Sequence, residues 1–520
     1  METVDKPTAH LLCNLLAEYG VRNVVISPGS RCAPLTVALY RSNKYKLTPI
    51  IDERSAAFVA LGMALRSDAP VAIVCTSGSA VLNYAPALAE AYYRRVPLIA
   101  ISADRPYNLI DQRDGQTIRQ ADVLNNIVRT SIDIRDENSE SYLNYANRKI
   151  NEALTEAIGN IPGPVHINMQ FNAPLTPIND IQTVDFGHKI NKIGHCVVPN
   201  LSQTIGLIPP TAKILVVAGT MHPSDKLKKI LEVNNNKWLL FAEIQSNLSA
   251  LPQEIIINYI AENTPDIVIS IGGDLVSASL KSLLRSLRKI RHISVGCDDN
   301  FVDTFGALTD IVNCRPEIFF EELGSYLKSN PTWSRLIGNT SVACDHEVTD
   351  NLFSRLSKAF PDADFHFSNG MAIRYAQKMR GLKRVDCNRG VSGIEGSTST
   401  AIGAALVADN TTVLVTGDMS AAYDVAALAI HEIPPAFKMV VLDNNGGGIF
   451  RVIQTTKNLP ERERFFAMPP RFPLKELAKA YGFTYFETSF ENPDIDEFVN
   501  CKTAPAIINV KLEEDNYKML

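Results

Sequence analysis

Short, almost continuously apolar runs alternate along the chain with longer segments whose apolar positions recur at helical spacing. These runs include residues 23–27, 71–75, 98–102, 165–168, 214–218, 267–271, 412–416, 439–442 and 506–510. Strands that are apolar at nearly every position are typical of parallel sheets covered on both faces. Several runs end in Gly, Ser or Asp and lead into helical segments, such as 56–65 and 421–431. The pattern predicts doubly wound α/β sheets.

The length of the chain and two polar seams divide the sequence into three parts. At 520 residues the chain is too long for a single hydrophobic core. One seam begins at 172–180 and continues to about residue 210, and the other covers about 330–348. We therefore predict an α/β fold of three doubly wound, mostly parallel-sheet domains. Their expected boundaries are 1–180, 181–340 and 341–520.

Composition excludes several classes of protein and partner. Hydrophobic residues make up 46% and charged residues 21%, the balance of a soluble globular protein, and the net charge of −5 favours neither nucleic acid nor an anionic membrane as a partner. No run approaches the roughly 20 apolar residues of a membrane span, and the polar N-terminus lacks a signal-peptide pattern. The nine scattered cysteines form no Cys-x-x-Cys pair. We expect reduced, buried thiols in a cytoplasmic protein, without membrane insertion.

The clearest chemical pattern follows two neighbouring strands of the third segment. One strand leads into Gly417-Asp418-Met419-Ser420, and the next ends at Asp443-Asn444-Asn445-Gly446. Both polar groups sit at the carboxyl ends of strands, where open α/β sheets bind ligands. A carboxylate of Asp418, an amide oxygen of Asn444 and the carbonyl of Gly446 suit Mg²⁺, or Mn²⁺ in its place. Either half alone also fits a helix cap or a turn.

Together the two halves resemble the motif that binds thiamine diphosphate (ThDP), written Gly-Asp-Gly, about 25 residues, then Asn-Asn. The chain departs from this motif at two positions, because Met419 replaces the last Gly and Asp443 replaces the first Asn. The resemblance implies that Gly417, Asp418, Met419, Ser420, Asn444 and Gly446 bind the cofactor. Glycines let the backbone approach the diphosphate, and the start of a helix offers free N–H groups to it.

The first segment supplies the carboxyl group that ThDP chemistry needs beside its aminopyrimidine. Glu53 stands immediately before the apolar helical segment 56–65. A carboxyl there supports the tautomer of the cofactor that removes its own C2 proton, and apolar surroundings would raise the carboxyl's pKa toward neutrality. Taken alone, Glu53 is better explained as a solvated acid in the first turn of a helix.

Further motifs extend the resemblance over the whole chain. The turn Thr76-Ser77-Gly78 and the strand end Asp104-Arg105-Pro106 are similar to the pyrimidine-binding domain of acetohydroxyacid synthases and pyruvate oxidases. The stretches 27–35, 52–55, 102–106, 115–120, 388–396, 417–424 and 444–450 resemble one family, the 2-succinyl-5-enolpyruvyl-6-hydroxy-3-cyclohexene-1-carboxylate synthases of menaquinone biosynthesis. This resemblance implies Ile394 as the bulky residue that bends the cofactor.

The same resemblance implies a transferase that decarboxylates 2-oxoglutarate and adds the resulting carbanion to isochorismate. Glu53 would be its catalytic residue. The implied substrate-binding residues are Ser30, Arg31, Arg105, Gln116, Arg374, Arg389, Ile449 and Phe450. Both substrates carry two carboxylates, and arginine binds carboxylates with paired hydrogen bonds. For any one of these arginines alone, a surface ion pair is the simpler interpretation.

The resemblance is weaker in the central segment. Relatives can carry a Lys-Arg pair where this chain has Ala278-Ser279, so Lys281 and Arg285 become candidates for the acceptor's anionic groups. Superfamily members share active sites across a subunit interface, which implies a homodimer at least and favours a homotetramer. Two alternatives stay open: another ThDP lyase or decarboxylase, and a ThDP-fold protein that only senses a ligand.

Overall fold

The computed structural model of the chain shows three parallel sheets, each flanked by helices. It describes residues 2–180, 187–192, 201–248, 251–287, 290–297, 300–330, 333 and 351–513. Each sheet takes its strands from a separate stretch of the chain. Within the described residues, no helix has both the length and the apolarity needed to cross a membrane.

The described part of the first domain has eight strands, six of which form a parallel sheet. Its strands are β1 Glu2–Val4, β2 Asn23–Ile26, β3 Lys46–Pro49, β4 Val71–Cys75, β5 Leu98–Asp104, β6 Ser131–Ile134, β7 Val165–Gln170 and β8 Ile178–Asp180. Its helices are α1 Pro7–Glu18, α2 Ala33–Arg41, α3 Glu53–Ser67, α4 Ala85–Arg94 and α5 Glu140–Ala157, with 3₁₀ turns at Gly78–Tyr84, Tyr107–Leu109 and Asn125–Ile127. The sheet order is β3-β2-β4-β5-β7-β6, and β1 pairs separately with β8 in an antiparallel ribbon.

The central domain has a five-stranded parallel sheet in the order β10-β9-β11-β12-β13. Its strands are β9 Ile214–Ala218, β10 Leu239–Ala242, β11 Ile267–Ile271, β12 Arg291–Gly296 and β13 Leu308–Asn313. Its helices are α6 Leu201–Gly206, α7 Asp225–Val233, α8 Gln253–Glu262, α9 Ala278–Ser286 and α10 Pro316–Tyr326, with a 3₁₀ turn at Ile244–Ser246.

The third domain repeats the strand order of the first, β15-β14-β16-β17-β19-β18. Its strands are β14 Asp364–Phe367, β15 Arg384–Cys387, β16 Thr412–Gly417, β17 Phe437–Asp443, β18 Thr484–Ser489 and β19 Ala506–Lys511. Its helices are α11 Leu352–Ala359, α12 Met371–Ala376, α13 Ser397–Ala405, α14 Asp418–Tyr423, α15 Ile449–Val452, α16 Leu474–Ala480 and α17 Asp496–Asn500, with a 3₁₀ helix Val425–Ala429 and a π-helix Arg462–Ala467.

The predicted fold class is confirmed, and every predicted strand lies in a strand of the structure or overlaps one. The boundaries at 180 and 340 stay predictions, and the second lies outside the described residues. The seven described cysteines are free thiols, five of them buried, as expected; Cys196 and Cys344 lie outside the described residues.

The single helix predicted over 421–431 is wrong, because α14 ends at Tyr423 and a separate 3₁₀ helix follows. Asp424 lies at the break and is fully buried. Its carboxylate accepts hydrogen bonds from the backbone N–H of Ser399 at 2.6 Å and from the Ser399 hydroxyl at 2.8 Å. A carboxylate that caps another helix interrupts its own, and the apolar period of the sequence does not reveal this.

The outer domains pack through α3 and α13, whose backbones approach closely at two glycines. A Cβ atom on Gly62 would lie 1.8 Å from the carbonyl oxygen of Thr400, and one on Gly403 would lie 2.0 Å from that of Val59. One hydrophobic core runs through this contact and includes buried residues of both domains. The two small residues therefore set the distance between the domains.

We predict that Gly403→Ala destabilises the protein by about 1–3 kcal/mol, because backbone atoms rather than a flexible side chain would have to move. The measurement is the free energy of unfolding in urea. Gly206→Ala is the matched control, since a Cβ at this exposed end of α6 meets no atom within 4 Å. Equal unfolding free energies for the two variants would contradict the close helix contact.

Candidate active site

The carboxyl ends of β14, β16 and β17 bring the predicted cation ligands to one edge of the third sheet. Gly417 ends β16, and Asp418 begins α14. The backbone N–H of Gly417 donates to the hydroxyl of Ser368, which follows β14, at 3.2 Å. The strand order reverses between β14 and β16, and open α/β sheets bind ligands at such a reversal.

Asp418 is held rigidly at this edge and is only 5% exposed. Its Oδ1 accepts from the N–H of Met419 at 2.8 Å, and its Oδ2 accepts from the N–H of Gly446 at 2.6 Å. Burial raises the pKa of Asp418 to about 6, although these two hydrogen bonds oppose the shift. The positive charge of Arg451 opposes this rise in the pKa only in part, so a bound cation would further favour the ionised form of Asp418.

Two further polar groups, the Asn444 amide and the Gly446 carbonyl, lie beside this carboxylate. The inner end of the Asn444 amide lies 2.6 Å from the carbonyl oxygen of Gly446 and 3.1 Å from Oδ1 of Asp418. With its nitrogen inward, the amide donates to both atoms; with its oxygen inward, three oxygens face one point. Carboxylate, amide and carbonyl oxygens are ligands that Mg²⁺ accepts. These residues could therefore hold a small divalent cation, although the described residues contain no cluster of three His, Cys, Asp or Glu.

The glycine after the Asn-Asn pair is required by the backbone. Gly446 has φ +115°, and a Cβ there would lie 2.3 Å from the carbonyl oxygen of Ala467. Arg451 fixes the same loop, because its guanidinium donates to the carbonyl of Asn444 at 2.8 Å and pairs with Glu463 at 2.9 Å. The loop is thereby held against the π-helix, with the Gly446 carbonyl directed at Asn444.

Asp443, one of the two departures from the usual motif, belongs to the sheet rather than to the cation site. Its carboxylate accepts from the amide of Asn509 at 3.0 Å and pairs with Lys511. Although burial alone would raise the pKa of Asp443, these partners hold it below the usual value. The departure therefore leaves the predicted ligands Asp418 and Asn444 in place.

The remaining predicted residues of the third domain surround this edge. The hydroxyl of Ser420 donates to the carbonyl of Ile394 at 2.6 Å, which joins the Ile394 loop to α14. Ile449 and Phe450 begin α15 and are half-buried. The ring of Phe450 lies 5.8 Å from that of Phe466. They offer apolar surface next to the polar site.

Glu53 is the first residue of α3 and is half-buried. The preceding residue, Asp52, caps the helix by accepting from the N–H of Ser55 at 2.9 Å. Burial, with the Glu53 charge as a smaller cause, raises the pKa values of the Cys75 thiol and the Tyr84 hydroxyl. Within the described residues the carboxyl of Glu53 has no hydrogen-bond or ion-pair partner. It is therefore free to bind a ligand beside the weakly polar groups of Cys75 and Tyr84.

The turn after β4, which the sequence predicts to bind the cofactor, packs closely against the loop after β2. Thr76 and Ser77 are buried, and Gly78 has φ +84°. A Cβ on Gly29, in the loop after β2, would lie 2.2 Å from Cβ of Thr76. Only glycine allows these two loops to meet at the reversal between β2 and β4.

Two predicted arginines of the first domain are close enough for their charges to interact. Arg31 is buried and donates to the carbonyl of Phe171 at 2.8 Å. Burial and then the charge of Arg105 lower the pKa of Arg31. Arg105 pairs with Asp114 at 3.1 Å and donates to the carbonyl of Gly115 at 2.7 Å. Two like charges at short range favour the binding of an anion between them.

Ser30 and Gln116 are exposed beside these arginines. Gln116 has φ +59°, and its carbonyl oxygen would lie 3.3 Å from a Cβ on Gly78. The loop that contains Gln116 therefore lies against the turn at Gly78. Together Arg31, Arg105 and this loop form what we call the first arginine cluster.

The second arginine cluster consists of Arg374 and Arg389 in the third domain. Arg374 donates to the carbonyl of Gly370 at 2.5 Å, and burial followed by the charge of Arg389 lowers its pKa. Arg389 donates to the amide oxygen of Asn369 at 3.0 Å and pairs with the carboxylate of Asp274. Asp274 is 40% exposed and comes from the central domain.

Sequence reasoning missed Asp274, although a Gly-Gly-Asp run at the end of β11 is a signal for it.

The structure also distinguishes Lys281 from Arg285, the two candidates for binding the acceptor's anionic groups. The Lys281 ammonium donates to the carbonyl of Leu275 at 2.9 Å, and Arg389 donates to the same oxygen at 3.4 Å. Arg285 instead donates to Thr304. Of the two, only Lys281 shares a partner with the second cluster.

The predicted residues thus fall into groups on two domains. Glu53, the 76–78 turn and the first arginine cluster lie on the first domain, and the oxygen cluster and the second arginine cluster lie on the third. Within the described residues, no hydrogen bond or ion pair joins the two arginine clusters directly.

Comparison with known proteins identifies two cofactor-binding domains in the chain. Residues 7–123 match the model of the thiamine pyrophosphate enzyme N-terminal TPP binding domain, and residues 368–510 match that of the C-terminal TPP binding domain. Thiamine pyrophosphate is another name for ThDP. The first match ends just after the first arginine cluster, and the second begins at Ser368.

Curated relatives cover nearly the whole chain. A protein of Porphyromonas gingivalis is 35% identical over 93% of this chain and 90% of its own length. Proteins of Flavobacterium psychrophilum and Desulfotalea psychrophila are 36% and 32% identical, over 92% and 95% of this chain and 90% and 96% of their own lengths. All three are named 2-succinyl-5-enolpyruvyl-6-hydroxy-3-cyclohexene-1-carboxylate synthase.

Proposed function

The chain belongs to the family of 2-succinyl-5-enolpyruvyl-6-hydroxy-3-cyclohexene-1-carboxylate synthases, and from that premise we propose how its residues carry out the reaction. The reaction is ThDP-dependent: it decarboxylates 2-oxoglutarate, adds the four-carbon carbanion to isochorismate by 1,4-addition and releases CO₂. The observation that carries the assignment of residues is the presence of two arginine clusters beside a ThDP-binding fold.

We propose that Asp418, Asn444 and Gly446 hold Mg²⁺, or Mn²⁺, against the diphosphate of ThDP. The closeness of the Asn444 amide to the Gly446 carbonyl and the Asp418 carboxylate supports this proposal, as does the burial of Asp418. Bound ThDP supplies the carbanion chemistry that a protein side chain cannot. Gly417, Met419 and Ser420 would lie along the diphosphate, because they form the loop and first turn after β16.

Glu53 is the proposed catalytic residue. Its position at the start of α3, without a protein partner in the described part of the chain, leaves its carboxyl available to the aminopyrimidine. Thr76, Ser77 and Gly78 would hold the same ring from the neighbouring loop. Ile394 is proposed to support the bent shape of the cofactor, and the Ser420 hydroxyl fixes the backbone of Ile394.

The substrates are proposed to bind through both arginine clusters. Arg31 and Arg105 lower the free energy of an anion placed between them, and Arg374 and Arg389 do the same in the third domain. Ser30 and Gln116 would add polar contacts, and Ile449 and Phe450 would cover the carbon skeleton. Lys281 is the preferred additional cation for the acceptor, because it shares Leu275 with Arg389.

We further propose a homodimer at least, with a homotetramer expected, in the cytoplasm. The apolar side chain of Ile51, two residues before Glu53, is 79% exposed, and Tyr423 beside α3 is 50% exposed. Large exposed apolar groups next to a site favour burial against another chain. A second copy would also bring together the groups that the single chain leaves on separate domains.

The first prediction concerns the cation. Asp418→Ala should abolish Mg²⁺-dependent binding of ThDP, and Asn444→Ala should weaken it less, because a neutral ligand is lost. Since the pKa of Asp418 is about 6, wild-type affinity should fall as the pH is lowered from 7 to 5, by up to about tenfold from this group. Calorimetric titration of ThDP measures both effects.

Asp310→Asn is the control for this prediction, because its carboxylate pairs with Arg291 in the central domain, away from the cation site. It should bind ThDP like the wild type at both pH values. Unchanged affinity in Asp418→Ala would remove the cation assignment without touching the substrate proposal.

The second prediction concerns Glu53. Glu53→Gln keeps the size of the side chain but removes the acid, so exchange of the C2 proton of bound ThDP in D₂O should slow by orders of magnitude. ThDP affinity should fall only modestly, because the diphosphate site is intact. Asp52→Asn serves as a control for the start of the helix. Exchange at the wild-type rate in Glu53→Gln would return this residue to a structural role.

The third prediction concerns the donor. The loss of isochorismate absorbance should be faster with 2-oxoglutarate than with pyruvate. Arg105→Ala and Arg389→Ala should each lower kcat/KM by the factor that corresponds to a loss of roughly 2–5 kcal/mol of transition-state stabilisation. Arg291→Ala, whose arginine pairs with Asp310 in the central domain, should retain wild-type kinetics.

The two arginine variants should also affect the apparent KM values for donor and acceptor differently. Equal turnover of pyruvate would refute the donor assignment and leave ThDP chemistry standing. Release of free succinic semialdehyde at a rate independent of isochorismate would favour a simple decarboxylase instead.

A further inference from the structure

A buried polar network below the first arginine cluster has the side chain of Asn168 at its centre. We propose that Asn168 is a positioning residue, which holds the cofactor turn at Gly78 and the substrate arginine Arg105 in a fixed relation. This inference rests on the proposed function, because it assigns Asn168 a role in the geometry of the same site.

Asn168 lies on β7, is fully buried and uses all the hydrogen-bonding capacity of its amide. Its Oδ1 accepts from the hydroxyl of Ser102 at 2.8 Å and from Nε2 of Gln120 at 2.9 Å. Its Nδ2 donates to Asp104 at 2.9 Å and to Asp133 at 2.7 Å. An amide satisfied on all four sides has one orientation and cannot turn without losing several buried hydrogen bonds.

One branch of the network leads to the cofactor turn. Oε1 of Gln120 accepts from the backbone N–H of Gly78 at 2.7 Å, while Nε2 also donates to the carbonyl of Ala103 at 3.2 Å. Gln120 is itself fully buried. The position of the Gly78 N–H is therefore fixed through Gln120 to Asn168.

The other branch leads to the arginine. Oδ1 of Asp104 accepts from the backbone N–H of Arg105 at 2.7 Å, while its other oxygen accepts from Asn168. Arg105 in turn holds the loop that contains Gln116 through Asp114 and Gly115. This loop is therefore tied to Asn168 twice, through Arg105 and through Gln120 at its end.

The choice of an amide at this position has an electrostatic reason. Burial raises the pKa values of both Asp104 and Asp133, and the two carboxyls face the same amide nitrogen. A carboxylate in place of the amide keeps the shape but turns two donated hydrogen bonds into repulsions. The bonds from Ser102 and Gln120 would survive, so Asn168→Asp cuts the branch to Arg105 selectively.

The test uses one variant on each branch and a control in the same network. Asn168→Asp breaks the Asp104 branch, and Gln120→Glu keeps the acceptor for Gly78 but loses the donor to Asn168. Each should raise the KM for 2-oxoglutarate about tenfold, with kcat changed by less than about threefold. Ser131→Ala removes a 3.2 Å hydrogen bond to His166 at the far end of the network and should leave KM unchanged.

Two further measurements separate positioning from general destabilisation. The urea midpoint records the loss of stability in all three variants. Calorimetry should show ThDP affinity within about threefold of the wild type in Gln120→Glu, because Gly78 keeps its partner. If Asn168→Asp does not fold, Gln120→Glu alone carries the comparison with Ser131→Ala.

The inference is overturned if Asn168→Asp and Gln120→Glu match Ser131→Ala in KM, or if kcat falls while KM stays constant. The comparison uses whichever 2-oxo acid the wild type decarboxylates fastest. A preference of the wild type for pyruvate would therefore refute the proposed donor and still leave the positioning role of Asn168 open to the same test.

Discussion

The close contact between α3 and α13 is the constraint on which the arrangement of both outer domains depends. Backbone atoms meet across Gly62 and Gly403, so the helices can take only one separation. Helix α3 begins at Glu53, and α13 begins three residues after Ile394. The glycines therefore fix how the domain of the proposed acid and the domain of the residue proposed to bend the cofactor are placed within one chain.

Buried charges reinforce this contact. Arg94 of the first domain pairs with Asp386 of the third at 3.2 Å, and Arg384 pairs with the same residue at 3.0 Å. Although burial alone would raise the pKa of Asp386, the two arginines hold it below the usual range. Glu90 accepts from the N–H groups of Gly390 and Val391 at 2.8 Å. Removing one member of such a pair leaves a buried charge uncompensated, which makes relative movement of the domains costly.

From the sequence we could predict the features that recur along the chain, such as the apolar strands, and those formed by neighbouring residues, such as the polar strand ends. Apolar runs identified the parallel strands, and strand ends identified Asp418, Asn444 and the 76–78 turn, because parallel strands end at one edge. The pattern could not reveal Asp274 against Arg389, or Asp424 on Ser399, since these partners are more than 20 residues apart and meet only through the fold. For Asn168 the pattern predicts only a place in a strand. Its amide acquires a role because the fold brings the carboxyls of Asp104 and Asp133 to it.

The charge balance of the two arginine clusters suits the proposed substrate site before a substrate binds. Arg31 beside Arg105, and Arg374 beside Arg389, are like charges that burial makes more costly. The protein places one carboxylate at each pair, Asp114 on Arg105 and Asp274 on Arg389. Both acids are partly exposed, so they can be replaced by, or share the arginine with, a carboxylate from solution. In the proposed function, a dicarboxylate that reaches these clusters exchanges one ion pair for another instead of neutralising an unpaired arginine. Selectivity between substrates then depends on the position of the substrate's second carboxylate. That distance is set by the backbone of Arg105 and by Asn369, which are held by hydrogen bonds rather than by the substrate.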